Sequence, residues 1–191
     1  MVYTKNKKYK MKFTEVYRSK LILRAYDGWI KPKDKVLDVG CGDGVVSKII
    51  RDYFKCKIMG TDIINYVSED IPFVLMKEKD KLNFKNNEFD IIMFNDTLHH
   101  TVYYKELLKE AKRIAKKILI FEEEPGAYSK FVDIVTNRTR TWNIEIPMFK
   151  YPREFEKLFE EFGFNFQFRK VKKPVFIYPY KHFAFFLEKK K

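Results

Sequence analysis

Apolar positions along the chain change their period several times, and the changes mark out the elements. From about Thr14 to Trp29, residues Val16, Tyr17, Leu21, Leu23 and Tyr26 recur at helical spacing, with Thr14 as a possible cap. Gly28 and Lys31-Pro32-Lys33-Asp34 predict the end of that helix. The short run Lys35-Val36-Leu37-Asp38-Val39 reads as a strand, and Val45, Val46, Ile49, Ile50 and Phe54 return to helical spacing. Lys57 to Asp62 is a second strand, Asn65 to Asp70 a short helix, and Phe73 to Met76 a third strand.

The alternation continues in the second half. A turn at Asn86-Asn87-Glu88 leads into a fourth strand, Phe89 to Phe94. Tyr103 to Ala115 is an amphipathic helix through Leu107, Leu108, Ala111 and Ile114, and Lys117 to Phe121 is the fifth strand. Residues 127–150 are the least regular part: Tyr128, Phe131, Val132, Ile134 and Val135 suit one helical face, and a polar run holding Trp142 follows. Tyr151 to Gly163 is a helix with Pro152 in its first turn and Gly163 at its end. Asn165 to Val171 and Phe183 to Leu187 alternate as two final strands.

Composition narrows this picture. At 191 residues, 46% hydrophobic and 17% aromatic, the chain is expected to fold as one globular domain, residues 1–191. No apolar run approaches the roughly 20 residues of a membrane-spanning helix, and no apolar segment follows the basic residues at the start. A cytoplasmic location is the expectation. Cys41 and Cys56 form neither a disulfide framework nor a metal spacing, so no metal is expected. The net charge of +13 is concentrated at the ends: residues 1–24 and 169–191 each carry +7, and the rest carry −1. Basic ends suit nucleic acid or an anionic membrane surface, and they equally suit solvated tails. Residues 1–13 read as a loosely docked basic arm.

The candidate chemistry centres on Asp38-Val39-Gly40-Cys41-Gly42-Asp43-Gly44, a strand end, a glycine turn and a helix start. Glycine lets a ligand approach the main chain, and the helix start offers unpaired N–H groups. The spacing Gly-x-Gly-x-Gly differs from the dinucleotide fingerprint G-x-G-x-x-G, and Asp38 would repel a pyrophosphate. Asp62 follows about 20 residues after the glycines, where a βαβ unit delivers an acid to a ribose diol. A plain tight turn and an ordinary strand-end acid are the bland alternatives.

The glycine stretch resembles motif I of class I S-adenosylmethionine-dependent methyltransferases, of the kind called methyltransferase type 11-like. The resemblance covers roughly Leu21 to Leu187 in element order. It implies a Rossmann-like α/β fold, a mostly parallel seven-stranded sheet with an antiparallel last strand and helices on both faces. It implies S-adenosylmethionine as cofactor, held by Asp38, Gly40, Cys41, Gly42 and Gly44, with Asp62 on the ribose and Ile63 against the adenine. Matching Leu82 and Phe84 to the family's Leu-Pro-Phe puts Glu78 on the adenine amino group with the Lys79 backbone N–H beside it; Asp80 is the alternative. Tyr9, Lys10 or Tyr17 are candidates for the cofactor carboxylate.

Asn95-Asp96-Thr97-Leu98-His99-His100 resembles the family's motif after the fourth strand, with Asn95 at the cofactor's methionine end. It is not the Asn-Pro-Pro-Tyr type of amino-directed nucleic-acid methyltransferases. His99 and His100 are candidate proton acceptors, or simply packing and capping residues. Glu122-Glu123-Glu124 ends the fifth strand, where Glu123 can orient a substrate or hold a substrate amine, or belongs to a solvated charge run. Residues 127–150 read as a substrate lid, with Tyr128 and Trp142 as candidate contacts, and Lys172 to His182 as a second aromatic segment over the same pocket.

Three functions follow from the resemblance: methyl transfer to a small or lipid-like molecule, methyl transfer to RNA or protein through the basic ends, or a non-catalytic binding role. The sequence assigns no oligomeric state.

Overall fold

A computed structural model describes residues 13–126, 131, 150–173, 178 and 180–190, with side chains from residue 17 onward. The expected basic arm thus lies outside the described residues except for Phe13, as do most of the lid, including Tyr128 and Trp142, and much of the second aromatic segment.

The elements in chain order are α1 (Phe13–Tyr26), β1 (Lys35–Val39), α2 (Val45–Phe54), β2 (Lys57–Asp62), β3 (Phe73–Leu75) and β4 (Phe89–Asn95). A 3-10 turn spans Leu98–His100, followed by α3 (Tyr104–Ile114), β5 (Ala115–Glu123), α4 (Pro152–Glu161), β6 (Phe164–Val171) and β7 (His182–Lys189). The strands form one sheet in the order β3-β2-β1-β4-β5-β7-β6. Strands β1 to β5 are parallel; β7 lies antiparallel between β5 and β6. This is the expected seven-stranded arrangement. The strand order reverses between β1 and β4, so their carboxyl ends open a crevice there.

Period-two alternation assigns each strand's side chains to two cores. On one face Leu37, Ile92, Phe94, Ile120, Phe183 and Phe185 pack under Leu107 and Leu108 of α3 and Phe155 and Phe159 of α4. On the other, Val36, Ile91, Met93, Leu119 and Phe186 pack under Leu21, Ile22 and Tyr26 of α1 and Ile50 of α2. Strands buried on both faces read as continuous apolar runs, as β4 does. Each large side chain removed from water contributes roughly 1.5–3 kcal/mol. The outer strands β3 and β6 carry most of the exposed positions.

Helix α1 is tied down from the far edge. Arg169 Nη1 on β6 donates to the backbone oxygens of Arg24, Ala25 and Asp27 at 3.2, 2.6 and 3.1 Å, and its guanidinium lies 4.1 Å from the Trp29 ring centroid. These contacts satisfy carbonyls that a helix end leaves unpaired.

Several expectations need correction. Residues 65–70 form no helix. Asn65 Oδ1 accepts the Val67 N–H at 3.2 Å, and the Ser68 N–H donates to Asp43 O at 3.0 Å, so donors a helix needs are committed elsewhere. Thr14 lies inside α1, which starts at Phe13, and the helix stops at Tyr26 because Gly28 turns the chain at φ +78°. Strand β5 runs past the apolar stretch, because pairing with β7 carries it through Glu122 and Glu123.

Candidate active site

Asp38 sits on β1, 2% exposed, at the crevice floor. Its Oδ2 accepts the Ser47 hydroxyl of α2 at 2.5 Å, and its Oδ1 accepts Asn95 Nδ2 of β4 at 3.2 Å. Asn95 Oδ1 in turn accepts the Tyr26 hydroxyl of α1 at 2.8 Å. Burial pushes the Asp38 carboxyl up to about 7, and the bonds from Ser47 and Asn95 only partly oppose it. A carboxylate in this state is stabilised by any cation that enters the crevice.

The three glycines are needed for different reasons. A Cβ on Gly40 would stand 2.4 Å from Thr97 Cγ2, and one on Gly44 would stand 2.9 Å from Ile71 Cδ1. Gly42, at φ +56°, would meet nothing within 4 Å, so the main chain is bare on its open side. Cys41 is buried with its Sγ 2.6 Å from where a Gly60 Cβ would stand, and burial pushes its thiol far up; it is a packing residue. Asp62 closes the turn: its Oδ2 accepts the Gly42 N–H at 2.9 Å, and burial raises its carboxyl. Ile63 beside it is 37% exposed. Glu78 and Lys79 lie on an exposed bend after β3, whose end is tied back by Met76 N–H to Asp62 O at 2.8 Å.

The other wall of the crevice is built on β4, β5 and β7. Glu122, 1% exposed, accepts the N–H groups of Thr97 and Leu98 on Oε1 at 3.1 and 2.8 Å, and its Oε2 holds His99 Nδ1. Thr97 Oγ1 reaches Val39 O at 3.1 Å, so the turn after β4 is pinned to both neighbouring strands. His99, 3% exposed, is thereby a packed and paired residue. His100 lies against it, ring centroids 3.9 Å apart; burial and the neighbouring His99 push its pKa down to about 3. Asp96 holds φ +50° and pairs through Oδ2 with Arg18 Nε at 2.6 Å, while Arg18 Nη2 donates to Asn95 O at 3.0 Å. Burial drives the Asp96 carboxyl up, but Arg18, His182 and His99 together outweigh it and the net direction is down.

The third histidine, His182, starts β7 opposite Glu123 and stacks on Phe121 at 4.7 Å, with Tyr178 5.9 Å away. Burial lowers its pKa to about 4. All three histidines of the chain therefore gather here. Glu122 and Glu123 are buried, so the run ending β5 is not a solvated charge run.

The fold thus brings together Asp38, the glycine turn, Asp62, Ile63, Asn95, His99, His100 and Glu123. Sequence reasoning missed Tyr26, Ser47 and Arg18 as members, and brought in Glu122 and His182 only as part of an acidic run and an aromatic segment. Glu122 alone carried a local signal, an acid continuing an apolar strand. Ser47 reads as an ordinary helix surface residue, and Arg18 as one more basic residue of the amino-terminal segment. Among the described residues no group of three His, Cys, Asp or Glu is placed to hold a metal ion.

A cationic nucleoside fits this donor set: a buried carboxylate for positive charge, a bare backbone at Gly42, and a strand-end acid for a diol. A family model described as a methyltransferase domain matches residues 9–167. No curated protein matches the sequence. Among solved structures, the fold is similar to a chain of the complex between the Haloferax volcanii Trm112 methyltransferase activator and its putative methyltransferase. There the TM-score is 0.72 and the identity 13%, over 93% of this chain and 92% of that one. It is also similar to an S-adenosylmethionine-dependent methyltransferase from Aquifex aeolicus, with TM-score 0.64 and 20% identity over 90% and 89%. A third is Haemonchus contortus phosphoethanolamine N-methyltransferase 2 in complex with S-adenosyl-L-methionine, with TM-score 0.66 and 16% identity over 91% of this chain and 52% of that one. The structural likenesses establish the fold, and the family match extends over most of the sequence: the chain belongs to the methyltransferase-domain family and is an enzyme that uses S-adenosylmethionine.

Proposed function

We propose that the protein transfers a methyl group from S-adenosylmethionine to a small or lipid-like molecule in the cytoplasm. The observation that carries the substrate class is the wall opposite the glycine turn. There the rings of Phe121, His182 and Tyr178 pack in series and His100 packs on His99, on the same wall as Asp96 and Glu123; aromatic surface with a few polar groups suits a small molecule. Two of the basic residues at the chain ends are already committed, Arg18 to Asp96 and Arg169 to the end of α1, which lowers the case for an RNA groove. Cys41 and Cys56 are free thiols, which suits a reducing compartment.

In this reading Asp38 and Asn95 face the amino end of the cofactor, Gly40, Cys41, Gly42 and Gly44 present backbone to it, and Asp62 accepts the two ribose hydroxyls. Ile63 lies on the adenine, with Glu78 and Lys79 at its amino edge. The cofactor supplies a methyl group already activated on sulfur, so the protein's share is alignment and exclusion of water. Glu123, Tyr128 and Trp142 contribute to the acceptor pocket.

The test is transfer of labelled methyl from the cofactor into fractionated cell extract. Label in the small-molecule or lipid fraction is expected, and Trp142→Ala should lose it while still binding cofactor. Salt-resistant labelling of total RNA or of protein would overturn the small-molecule assignment.

A further inference from the structure

Two buried polar atoms on the far wall have no hydrogen-bond partner: Asp96 Oδ1 and His100 Nδ1. Native proteins rarely leave such atoms unpaired, because each costs the full desolvation of the group. Asp96 cannot relieve this by swinging. Its Oδ2 is held by Arg18 at 2.6 Å, its N–H donates to Phe121 O at 2.8 Å, and its backbone sits at φ +50°. Strain and an orphaned acceptor at one residue, kept in place by its neighbours, mark a position completed by a ligand.

His100 lies in the field of the Asp96 carboxylate, and burial keeps its ring neutral at neutral pH. In the tautomer protonated at Nε2, its Nδ1 is an acceptor. Tyr178 and His182, whose ring centroids lie 5.9 Å apart, also lie in the field of Asp96 and add aromatic surface to this wall. Two unpaired acceptors that both served one reacting atom would discriminate between nucleophiles by counting donors. A carbon nucleophile offers none, a hydroxyl offers one, and the nitrogen of a primary amine offers two or three.

Resting on the methyl-transfer reading, we infer that the acceptor substrate is a primary amine whose nitrogen donates to both Asp96 Oδ1 and His100 Nδ1. The two atoms then become paired only when the substrate is present. Recognition by unpaired buried acceptors rejects analogues lacking a donor more strongly than an apolar pocket rejects a shape change.

The experiment uses the full chain and three probes of similar shape: 2-phenylethylamine, 2-phenylethanol and trimethyl(2-phenylethyl)ammonium. Binding of S-adenosylhomocysteine is measured first, and the probes are then ranked by NMR titration with and without it. The amine should bind at least about tenfold tighter than the alcohol and the quaternary ammonium, the effect of one charge-assisted hydrogen bond. Asp96→Asn and His100→Phe should each remove that preference. No amine binding, or an equal ranking of the three probes on the unmodified protein, overturns the assignment and leaves buried water as the partner of the two atoms. Equal binding of amine and quaternary ammonium reduces the site to charge and aromatic surface, and also overturns it. Loss of S-adenosylhomocysteine binding alone counts against the cofactor reading instead.

Discussion

The two walls of the crevice are built by opposite strategies. The β1–β2 wall is local: Asp38, the glycines, Ser47 and Asp62 fall within one βαβ unit, and the contact that closes the turn, Gly42 N–H to Asp62, spans 20 residues. The β4–β5–β7 wall is assembled from afar. Arg18 reaches Asp96 across 78 residues, and Glu122 holds Thr97, Leu98 and His99 from the next strand. The local wall leaves bare backbone at Gly42, open to a ligand. The assembled wall is dense with paired charges and buried imidazoles, so its failures should appear first as loss of stability. That contrast separates residues left open to a ligand from residues spent on the scaffold.

The most damaging change should therefore lie on the assembled wall. Glu122→Ala removes the acceptor of two N–H groups and the partner of His99 in one step. The expected loss is about 3–5 kcal/mol of folding free energy, in line with breaking a buried charged pair. Urea unfolding showing a loss below about 1 kcal/mol would mean that the turn after β4 does not depend on β5.

Acid should act on the two walls with opposite signs. Asp38 titrates at about 7 in the fold against an ordinary 3.8, so the folded state holds the extra proton between those values. Its contribution is fully present below about pH 4 and is lost as pH rises through 7. His100 and His182 titrate at about 3 and about 4 in the fold against 6.5, so the unfolded state takes their protons and acidification below 6.5 costs stability. Each group contributes a slope of at most about 1.4 kcal/mol per pH unit. Between pH 8 and 5, Asp38→Asn should become less stable on acidification, whereas the double variant His100→Phe/His182→Phe should become more stable. Unfolding curves with the same sign of slope in both variants would break the comparison.

On the local wall the effect should appear in affinity. Asp62→Ala should weaken S-adenosylmethionine binding by about 1.5–3 kcal/mol, the worth of hydrogen bonds to a charged group. Calorimetry on the folded variant with unchanged affinity would remove Asp62 from the ribose. The smallest effect is expected where the walls are most independent: His99→Ala and His100→Ala should each bind the cofactor within a few-fold of the unmodified protein. Complete loss of affinity in a variant that remains folded would show that the histidines belong to the cofactor site after all.

The local wall was legible because its determinants are periodicity and spacing. Three glycines at alternate positions and an acid at the next strand end are visible without any contact map. Strand and helix positions followed for the same reason, and β2 matched its expected bounds, Lys57 to Asp62. Where expectation failed, a tertiary contact had taken over: Asp43 O captured the Ser68 N–H where a short helix was expected, and β7 drew β5 onward through two glutamates.

By itself, the sequence determined the order of the elements, the parallel βαβ frame and the glycine turn, because these depend on residues near one another in the chain and on repeats of 2 and 3.6. Only the tertiary structure decided which charges are spent on holding the fold. Arg18 and Arg169 look alike in a count of basic residues, yet one is paired with Asp96 and the other caps α1. Glu122 looks like its neighbour in an acidic run, yet it is buried and holds the turn after β4. A charge acquires its role from the partner that desolvation obliges it to find, and here those partners lie far away along the chain.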